Sequence, residues 1–382
     1  MPHRVCSSLI ALLTAATAHA QTTWIVAEGG GPGVEFRRIQ DALDEAADGD
    51  TIVVRAGSYP EFRLSTSKGV LIAGEPGAIV GTAGGVFFEV TDLVAGRTFS
   101  MRNLSFTAGA TQILFQDCAG QVYVEKVDVF QATVSNSFAI NNCAQISLTQ
   151  VATTGLPAMR VTNSKVVFAD CRIRATPWLT TFPALTVTNS ETTMVDGLFA
   201  GGSSSFATPP AAAIHMSGGT LTLAGRNTSV TAGSPGTPTP TPAVLATGGE
   251  VFIDPAVTLV SQGGAAPISG GAAVTRGPIA SVRADGLQSQ GTWQLDLHAP
   301  TGSPFCLFAS LPRPALASPW GAVWFDLRLH AVLACGAVGP NDQFQMSVPL
   351  PMLPRAVPLV AQAAVVTPVG PQISTPSVDI VE

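Results

Sequence analysis

The stretch FRRIQDALDEAADGDTIVVRAGSYPE, residues 36–61, decides the fold class of this chain. Its apolar residues recur at three- and four-residue steps, at Phe36, Ile39, Leu43 and Ala46. That spacing places them on one face of a helix and predicts a helix near 36–47. Gly49 ends the helix, because glycine tolerates the left-handed conformation that is common there. The short β-branched run 51–54 then predicts a buried strand.

The order of residues in this stretch resembles the N-terminal cap of secreted right-handed parallel β-helix proteins, the pectin-lyase-like superfamily. The matching residues are Phe36, Ile39, Gln40, Ala42, Leu43, Ala46, Gly49, Asp50, Thr51, Ile52, Val54, Gly57 and Tyr59. Ala56 departs from the pattern, since the family often has proline before the glycine. The resemblance implies an all-β, right-handed parallel β-helix whose first coil is covered by the helix.

Length and composition agree with a folded, turn-rich, all-β protein. The chain has 382 residues, which is enough for about two domains. Hydrophobic residues make up 46% and charged residues only 12%, while Gly (38) and Pro (29) are abundant. The net charge is −6 and no basic cluster is present, so we expect no nucleic-acid partner.

Residues 1–20 have the pattern of an export signal. Arg4 gives a positive start, an apolar run follows at 9–18, and Ala18-His19-Ala20 is a small-x-small cleavage site. We expect cleavage before Gln21 and a secreted or cell-surface location. The apolar run is shorter than the ~20 residues that span a bilayer, so we expect no membrane span in the mature chain.

Five cysteines follow the signal: Cys118, Cys143, Cys171, Cys306 and Cys335. No two have C-x-x-C spacing, so we expect no cysteine metal site. A disulfide between Cys118 and Cys143 and a stack of buried thiols both remain open. The pair Cys306 and Cys335 could also form a bridge.

A loose repeat runs from residue 61 to about 262 and predicts a solenoid. Seven polar or glycine residues, called anchors here, each stand between two short apolar strands; they are Asp92, Asp117, Asn142, Asn163, Asn189, Gly218 and Gly248. Successive anchors are 25, 25, 21, 26, 29 and 30 residues apart. A second turn position follows each strand, at Asn103, Lys126, Gln150, Asp170, Asp196, Gly225 and Asp254. Asp, Asn and Gly readily adopt left-handed backbone angles, so each repeat is one coil of the predicted β-helix at 21–262.

Stacked coils bring equivalent residues about 4.8 Å apart. The anchors Asn142, Asn163 and Asn189 therefore predict an asparagine ladder, which is a known feature of the family that the chain resembles. If the amide of Asn163 is buried, replacement by leucine costs about 1 kcal/mol or more, because neighbouring polar groups lose their partners.

The remaining chain has a different pattern. Residues 263–284 are rich in Gly, Ala and Pro and predict a linker. Residues 285–382 contain strand-like segments separated by Pro and Gly turns, which predicts a small antiparallel β-sandwich. This tail resembles C-terminal domains of planctomycete-type secreted bacterial proteins.

One charged cluster is the best candidate for chemistry: Asp170, Arg172, Arg174 and Asp196. The two aspartates occupy equivalent turn positions in adjacent coils, and the alternation of Arg172 and Arg174 puts both guanidinium groups on one face. Pectin-lyase-like enzymes use convergent carboxylates, with calcium and a basic residue in the lyases. However, the chain contains no adjacent pair of aspartates. The alternative is that Asp170 and Asp196 are turn residues without shared chemistry.

In the tail, Asp296 with His298, and Asp326 with Arg328 and His330, alternate along strands. A His and carboxylate group is typical of a metal site, and a solvated strand face explains the same pattern.

These features favour a non-catalytic extracellular surface or carbohydrate-binding protein, because few charges lie along the solenoid. No cofactor is expected, and the partner would be a polysaccharide or cell-surface glycan. The alternative is a polysaccharide lyase, with calcium, or a glycoside hydrolase acting on uronic-acid polymers. A third hypothesis is a structural or adhesive surface protein. The oligomeric state stays open.

Overall fold

The computed structural model describes residues 21–381 except 82–84, 108–110, 131–136, 177–180, 204–210, 235–238, 288–290 and 351–356. The predicted export signal lies outside the described residues. Strands make up 64% of the chain and helix 2%, as the all-β prediction requires.

Residues 23–276 form a parallel β-solenoid of about nine turns. Its strands are β1 (Thr23–Val26), β2 (Thr51–Val54), β3 (Gly57–Tyr59), β4 (Arg63–Thr66), β5 (Leu71–Gly74), β6 (Ala78–Val80), β7 (Phe87–Thr91), β8 (Thr98–Thr107), β9 (Gln112–Gln116), β10 (Gln121–Phe130), β11 (Phe138–Asn141), β12 (Gln145–Thr149), β13 (Ala152–Gly155), β14 (Met159–Thr162), β15 (Lys165–Ala175), β16 (Leu185–Ala200), β17 (Ile214–Thr231), β18 (Val244–Ala246), β19 (Glu250–Ile253), β20 (Thr258–Val260), β21 (Ile268–Gly270) and β22 (Ala273–Arg276). The parallel solenoid predicted from the repeat is confirmed.

Parallel pairing from coil to coil builds three faces. The first face contains β1, β2, β5, the N-terminal half of β8, the N-terminal half of β10, β12 and the N-terminal half of β15. The second face contains β3, β6, the C-terminal halves of β8, β10 and β15, and β13. The third face contains β4, β7, β9, β11 and β14. Alternate side chains of every coil point inward and form one continuous hydrophobic core.

Left-handed residues make the turns between faces. The anchors Asp92, Asp117, Asn142, Asn163, Asn189 and Gly218 all have positive φ, between 48° and 77°. The second turn position, which joins the first face to the second, has positive φ at Asn103, Lys126, Gln150, Asp170, Asp196 and Gly225. Asp, Asn or Gly, which tolerate this conformation, occupy most of these turns, although Lys126 and Gln150 adopt it as well. At the last predicted anchor the positive φ falls on Gly249 (83°) rather than on Gly248.

The stretch at 36–61 packs against the first coils. Helix α1 (Ile39–Glu45) is shorter than the predicted 36–47 and buries Ile39, Ala42 and Leu43 in the solenoid core. The Glu61 carboxylate accepts the first helical N–H, that of Ile39, at 2.9 Å. Gln40 bonds both backbone groups of Ser65, which ties the helix to β4.

Asp50 holds the same stretch against the start of the solenoid through hydrogen bonds. Its carboxylate accepts hydrogen bonds from Thr22 N–H (2.8 Å), Ala47 N–H (2.9 Å) and Trp24 Nε1 (3.1 Å). Burial alone would raise the pKa of Asp50, but these hydrogen bonds hold it below its usual value. The single O–H of Tyr59 is directed at the carbonyl oxygen of Arg55 (2.8 Å) and also lies 3.1 Å from that of Val26.

Part of the predicted asparagine ladder, the step between Asn142 and Asn163, is present, and it lies on the surface. Asn163 Nδ2 donates to Asn142 Oδ1 at 3.2 Å, and Asn142 Nδ2 donates to Asp117 Oδ1 at 2.9 Å. All three side chains are exposed, so the condition of a buried amide is not met. A buried ladder lies one residue further along each coil. Ser190 Oγ accepts the Ser164 N–H, and Ser164 Oγ accepts the N–H of Cys143 in the preceding coil.

That cysteine, Cys143, is a free buried thiol, as are Cys118 and Cys171. The disulfide considered for Cys118 and Cys143 is therefore not formed, and both residues are buried free thiols that follow anchors of adjacent coils. Burial raises the pKa of Cys171 to about 12, which keeps its thiol protonated and unreactive.

Residues after 280 form two antiparallel sheets, the C-terminal sheets. The strands are β23 (Ser281–Leu287), β24 (Thr292–His298), β25 (Pro304–Ser318), β26 (Gly321–Ala337), β27 (Gln343–Pro349), β28 (Val357–Thr367), β29 (Gly370–Ile373) and β30 (Ser377–Val381). The first sheet has the order β23-β24-β27, and the second has the order β26-β25-β28-β29 with β30 on β28. Both sheets contribute to a second hydrophobic core, and Cys306 forms a disulfide with Cys335.

Strands also occupy 263–284, where the sequence predicts a linker. β21 pairs with β18 and β22 with β19, so coil pairing continues to Arg276. β23 begins five residues later, at Ser281. Gly and Ala are compatible with these short strands, because the strands pair through backbone N–H and C=O groups that every residue except proline carries in full.

The C-terminal sheets pack on the first face of the solenoid. Apolar side chains from the two parts form a third buried cluster: Leu71, Ala73, Tyr123 and Val167 with Val323, Trp324, Phe325, Val360, Val378 and Ile380. Buried hydrogen bonds accompany this contact, including Thr149 Oγ1 to the Val378 carbonyl at 2.9 Å. A face of the solenoid that would otherwise meet solvent is thus covered in part.

Candidate functional site

The four sequence-predicted site residues divide into two pairs. Asp170 and Asp196 lie at the second turn position of adjacent coils, because the residues on either side of them pair in register. Arg172 and Arg174 follow on the second face, where both side chains are exposed. The two aspartates lie at the boundary with the C-terminal sheets, whereas the two arginines lie on a neighbouring face of the solenoid.

A polar cavity of about 420 Å³ lies at that boundary. The solenoid contributes Asp196, Arg226 and Asn227, and the C-terminal sheets contribute Ser281, Arg283, Asp296, His298 and Gln343. Every lining residue is polar or charged. The volume falls within the ~300–1,000 Å³ that is typical of small-molecule sites.

Asp170 stands beside this cavity and is held by an arginine of the other part. Arg283 Nη2 lies 3.0 Å from Asp170 Oδ2, and both side chains are one-third exposed. The sequence-predicted partners Arg172 and Arg174 are replaced in this role by a residue more than a hundred positions away in the chain. The ion pair joins the solenoid to β23 and fixes one wall of the cavity.

Asp196 is the most buried acid of the cavity. Its Oδ1 accepts the Asn227 N–H at 2.9 Å, and only 7% of the residue is exposed. Burial raises the pKa of Asp196, and the nearby charges of Asp170 and Asp296 act in the same direction, while the Asn227 hydrogen bond and Arg283 oppose them. A carboxyl group in this environment is poised to take up a proton above the usual range.

His298 and Asp254 form a second link across the boundary. His298 Nε2 lies 3.7 Å from Asp254 Oδ1, and its Nδ1 contacts the Asp342 carbonyl at 2.8 Å. Burial alone would lower the pKa of His298, but Asp254 raises it above its usual value. Asp254 also accepts the Ile279 N–H at 2.7 Å and the Ala256 N–H at 2.8 Å. Its pKa is lowered: burial opposes this shift, and the bond to His298 with these two N–H groups outweighs it.

The tail candidates for a metal site separate in the structure. Asp296 and His298 line the cavity. Asp326 pairs instead with Arg313, whose Nη2 lies 2.6 Å from Oδ2, while His330 is exposed beside Phe308 and Phe325. Among the described residues, no group of three or more His, Cys, Asp or Glu side chains is arranged to hold a metal ion.

Sequence reasoning missed the residues that complete the cavity: Arg226, Asn227, Ser281, Arg283 and Gln343. Arg283 lies inside the predicted linker, although Val282 and Ala284 on either side of it are buried. That alternation is the signal of a strand with one polar face. Nothing in the linear sequence relates Arg283 to Asp170.

The fold and the cavity define a parallel β-solenoid with antiparallel C-terminal sheets docked on its first face. No protein-family model matches the chain, and no curated protein is significantly similar to it. In the part of the chain that the structure describes, no helix is both long and apolar enough to cross a bilayer.

Proposed function

We propose that this chain is an exported extracellular surface protein that binds carbohydrate without transforming it, and that the ligand occupies the polar cavity. The observation that carries the proposal is the lining, in which carboxylates, guanidinium groups and amides converge from two parts of the chain. Sugar hydroxyl groups both donate and accept hydrogen bonds, so such a mixed lining suits a polysaccharide or cell-surface glycan.

The charge pairing supports binding rather than catalysis. Asp170 is engaged by Arg283, and Asp254 by His298, so two of the acids at the boundary hold the parts together. Arg172 and Arg174 do not line the cavity, so the predicted grouping of Asp170 and Asp196 with these two arginines is not supported there. We assign no step to calcium.

The handedness of the solenoid, the capping role of α1 and the arrangement of the C-terminal sheets are part of the same proposal. We infer a right-handed β-helix of the pectin-lyase-like class in which α1 caps the first coil, and a β-sandwich built from the two C-terminal sheets. The support is the residue pattern at 36–61, the contacts of α1 with β1, β2 and β4, and the core that both C-terminal sheets share. Export is supported by the residue pattern at 1–20 and by the Cys306–Cys335 disulfide, a bond typical of oxidising compartments.

One observation favours a second candidate, a glycoside hydrolase. A carboxyl group with a raised pKa is the type of group that protonates a glycosidic oxygen, and Asp196 is such a group in a cavity wall. Asp296 would then be the second carboxylate. This candidate predicts cleavage that depends on Asp196.

Calorimetric titration with three probes tests the proposal: oligogalacturonate, cellohexaose and chitohexaose. We expect saturable binding of at least one probe, lost or weakened about tenfold or more in Arg226→Gln, since a charged hydrogen bond contributes about 1.5–3 kcal/mol. Arg172→Gln is the matched control, because it removes an exposed arginine outside the cavity.

Product analysis of the same mixtures, with and without calcium, separates the candidates. Intact probes support binding alone. Reducing-end or unsaturated products that vanish in Asp196→Asn contradict it and favour an enzyme. Absence of binding by every probe contradicts the carbohydrate proposal and favours a structural or adhesive role.

A further inference from the structure

The last coil of the solenoid, formed by β20, β21 and β22, leaves the hydrophobic core open at its end. Apolar residues of this coil pair in register with fully buried valines of the preceding coil: Leu259 with Val230, Ile268 with Val244, and Val274 with Val251. They therefore stand at core positions, on the same side of the sheet as those valines. Yet Val274 is 45% exposed, and Leu259 and Ile268 are half-buried. The described lining of the polar cavity includes no residue of these three strands.

Strand β22 directs half of its backbone hydrogen-bonding groups away from the solenoid. The N–H groups of Ala273 and Gly277 donate to carbonyl groups on the β19 side, at 3.0 and 3.1 Å. Because alternate residues of a strand face opposite neighbours, the N–H and C=O groups of Val274 and Arg276 point the other way. In the part of the chain that the structure describes, no strand pairs with β22 on that side. The same holds for the outer edges of β20 and β21.

This open edge carries little protection against pairing with another strand. Exposed edge strands are commonly protected by charged side chains, particularly lysine, or by proline within the strand. The three strands contain neither lysine nor proline, and Arg276 is the one charged residue in 255–276. The last coil thus combines exposed core positions with an edge that is free to pair.

We propose that this open end is a self-association surface, through which two copies of the chain form an end-to-end dimer about a two-fold axis. The inference rests on the capping role of α1 proposed above: with the first coil covered, the surface that matches the last coil is the last coil of a second copy. Strands related by a two-fold axis perpendicular to the solenoid axis run antiparallel, so their outward backbone groups can pair. The contact also removes the exposed core positions of both copies from water, which is favourable.

One register of β22 with its copy engages the outward groups of both strands. It places Thr275 on the two-fold axis and Val274 opposite Arg276 of the second copy. The two Arg276 side chains then lie at opposite ends of the paired strands, so no like charges oppose each other. Backbone hydrogen bonding and charge are thus compatible with the same two-fold contact.

Sedimentation velocity of the full chain, over concentrations from about 1 μM to about 1 mM, measures the association. We expect the wild type to reach twice the mass of one chain and to go no further. Val274→Lys puts an ammonium group opposite Arg276 of the second copy, and like charges in a contact are costly, so association should weaken by about tenfold or more. Adding Arg276→Glu to Val274→Lys restores opposite charges across the axis and should restore the dimer.

Val369→Lys is the matched control, since Val369 is 69% exposed and lies outside the last coil, between β28 and β29. It should associate as the wild type does. Circular dichroism checks that each variant is folded. If Val274→Lys does not fold, Thr275→Lys provides the comparison, because it opposes two lysines on the axis.

A wild type that stays monomeric over the whole range overturns the proposal. A dimer that survives unchanged in Val274→Lys, or a double variant that stays monomeric, overturns it as well, because the contact would then lie elsewhere. A mass that grows beyond two chains contradicts a closed two-fold contact and, with it, the capping role of α1. None of these outcomes depends on carbohydrate binding, so the failure of one proposal is distinguishable from the failure of the other.

Discussion

Asn163 illustrates how a single residue defines a coil of the solenoid. Its φ of 48° is one that Asn tolerates and that leucine adopts only at a cost. Its amide joins a ladder with Asn142, yet the ladder is exposed and water competes for its hydrogen bonds. The residue type at an anchor therefore indicates the left-handed backbone conformation more directly than it indicates side-chain hydrogen bonding.

Asn163→Leu should lower the free energy of unfolding by about 1–2 kcal/mol, mainly because of the left-handed backbone. Asn163→Gly removes the same amide but tolerates the conformation, so its effect should be smaller. Urea denaturation of both variants measures the difference. Equal losses in the two variants would contradict a conformational origin and assign the cost to the ladder.

Asp50 makes the first coil sensitive to acid. Because its pKa is lower folded than unfolded, its contribution is present above about pH 4 and is lost as pH falls through the folded-state value. We expect Asp50→Asn to reduce the melting temperature at pH 7 and to flatten its decline below pH 4. Thermal unfolding followed by circular dichroism measures both, and an unchanged acid decline would contradict the assignment.

At the scale of elements, helix α1 shows what a local pattern can and cannot specify. The spacing of Ile39 and Leu43 predicts the buried face correctly. The helix begins three residues later than Phe36 because that residue bridges to Val26 and packs edge-on against Trp24. Pairing with β1 thus takes precedence over helix formation at this end.

Leu43→Ala should destabilise the protein by about 2–5 kcal/mol, because it leaves a cavity where the helix meets the first coil. Glu45→Ala, on the exposed side of the same helix, is the control and should change stability by less than about 0.5 kcal/mol. Denaturant titration compares the two. A loss below about 1 kcal/mol for Leu43→Ala would show that α1 is dispensable for the solenoid.

The Cys306–Cys335 bridge ties β25 to β26, the strands of the longest antiparallel pair described. The double variant Cys306→Ala/Cys335→Ala should lose about 2–4 kcal/mol, the range for a disulfide that closes a loop of this size. Calorimetric melting with and without reductant measures it. The wild type in reductant should match the double variant, and a reductant effect on the variant itself would contradict the assignment to this bond.

At the scale of the whole molecule, the sequence predicts the solenoid well and its docking poorly. Each coil repeats the same local turn chemistry, so spacing and residue type suffice to locate the turns. The docking of the C-terminal sheets on the solenoid instead depends on contacts between residues that are far apart in the chain, such as Asp170 and Arg283. One signal was available: Tyr123 and Val167 are apolar at outward positions of the first face, where a solvated strand would alternate with polar residues.

The His298–Asp254 pair predicts a pH dependence of the same docked arrangement. The raised pKa of His298 means that its contribution is complete below about pH 6.5 and is lost as pH rises through the folded-state value. His298→Gln should therefore destabilise the protein more at pH 5 than at pH 8. Melting temperatures at the two pH values test this, and an equal loss at both would contradict a charged histidine.

The most direct test of the central claim is a crystal structure of the protein with the oligosaccharide that binds best in titration. The account predicts an intact oligosaccharide in the polar cavity, in contact with Arg226, Asn227 and Asp196. An oligosaccharide bound instead beside Arg172 and Arg174 on the second face, or a cleaved one in the cavity, would contradict it.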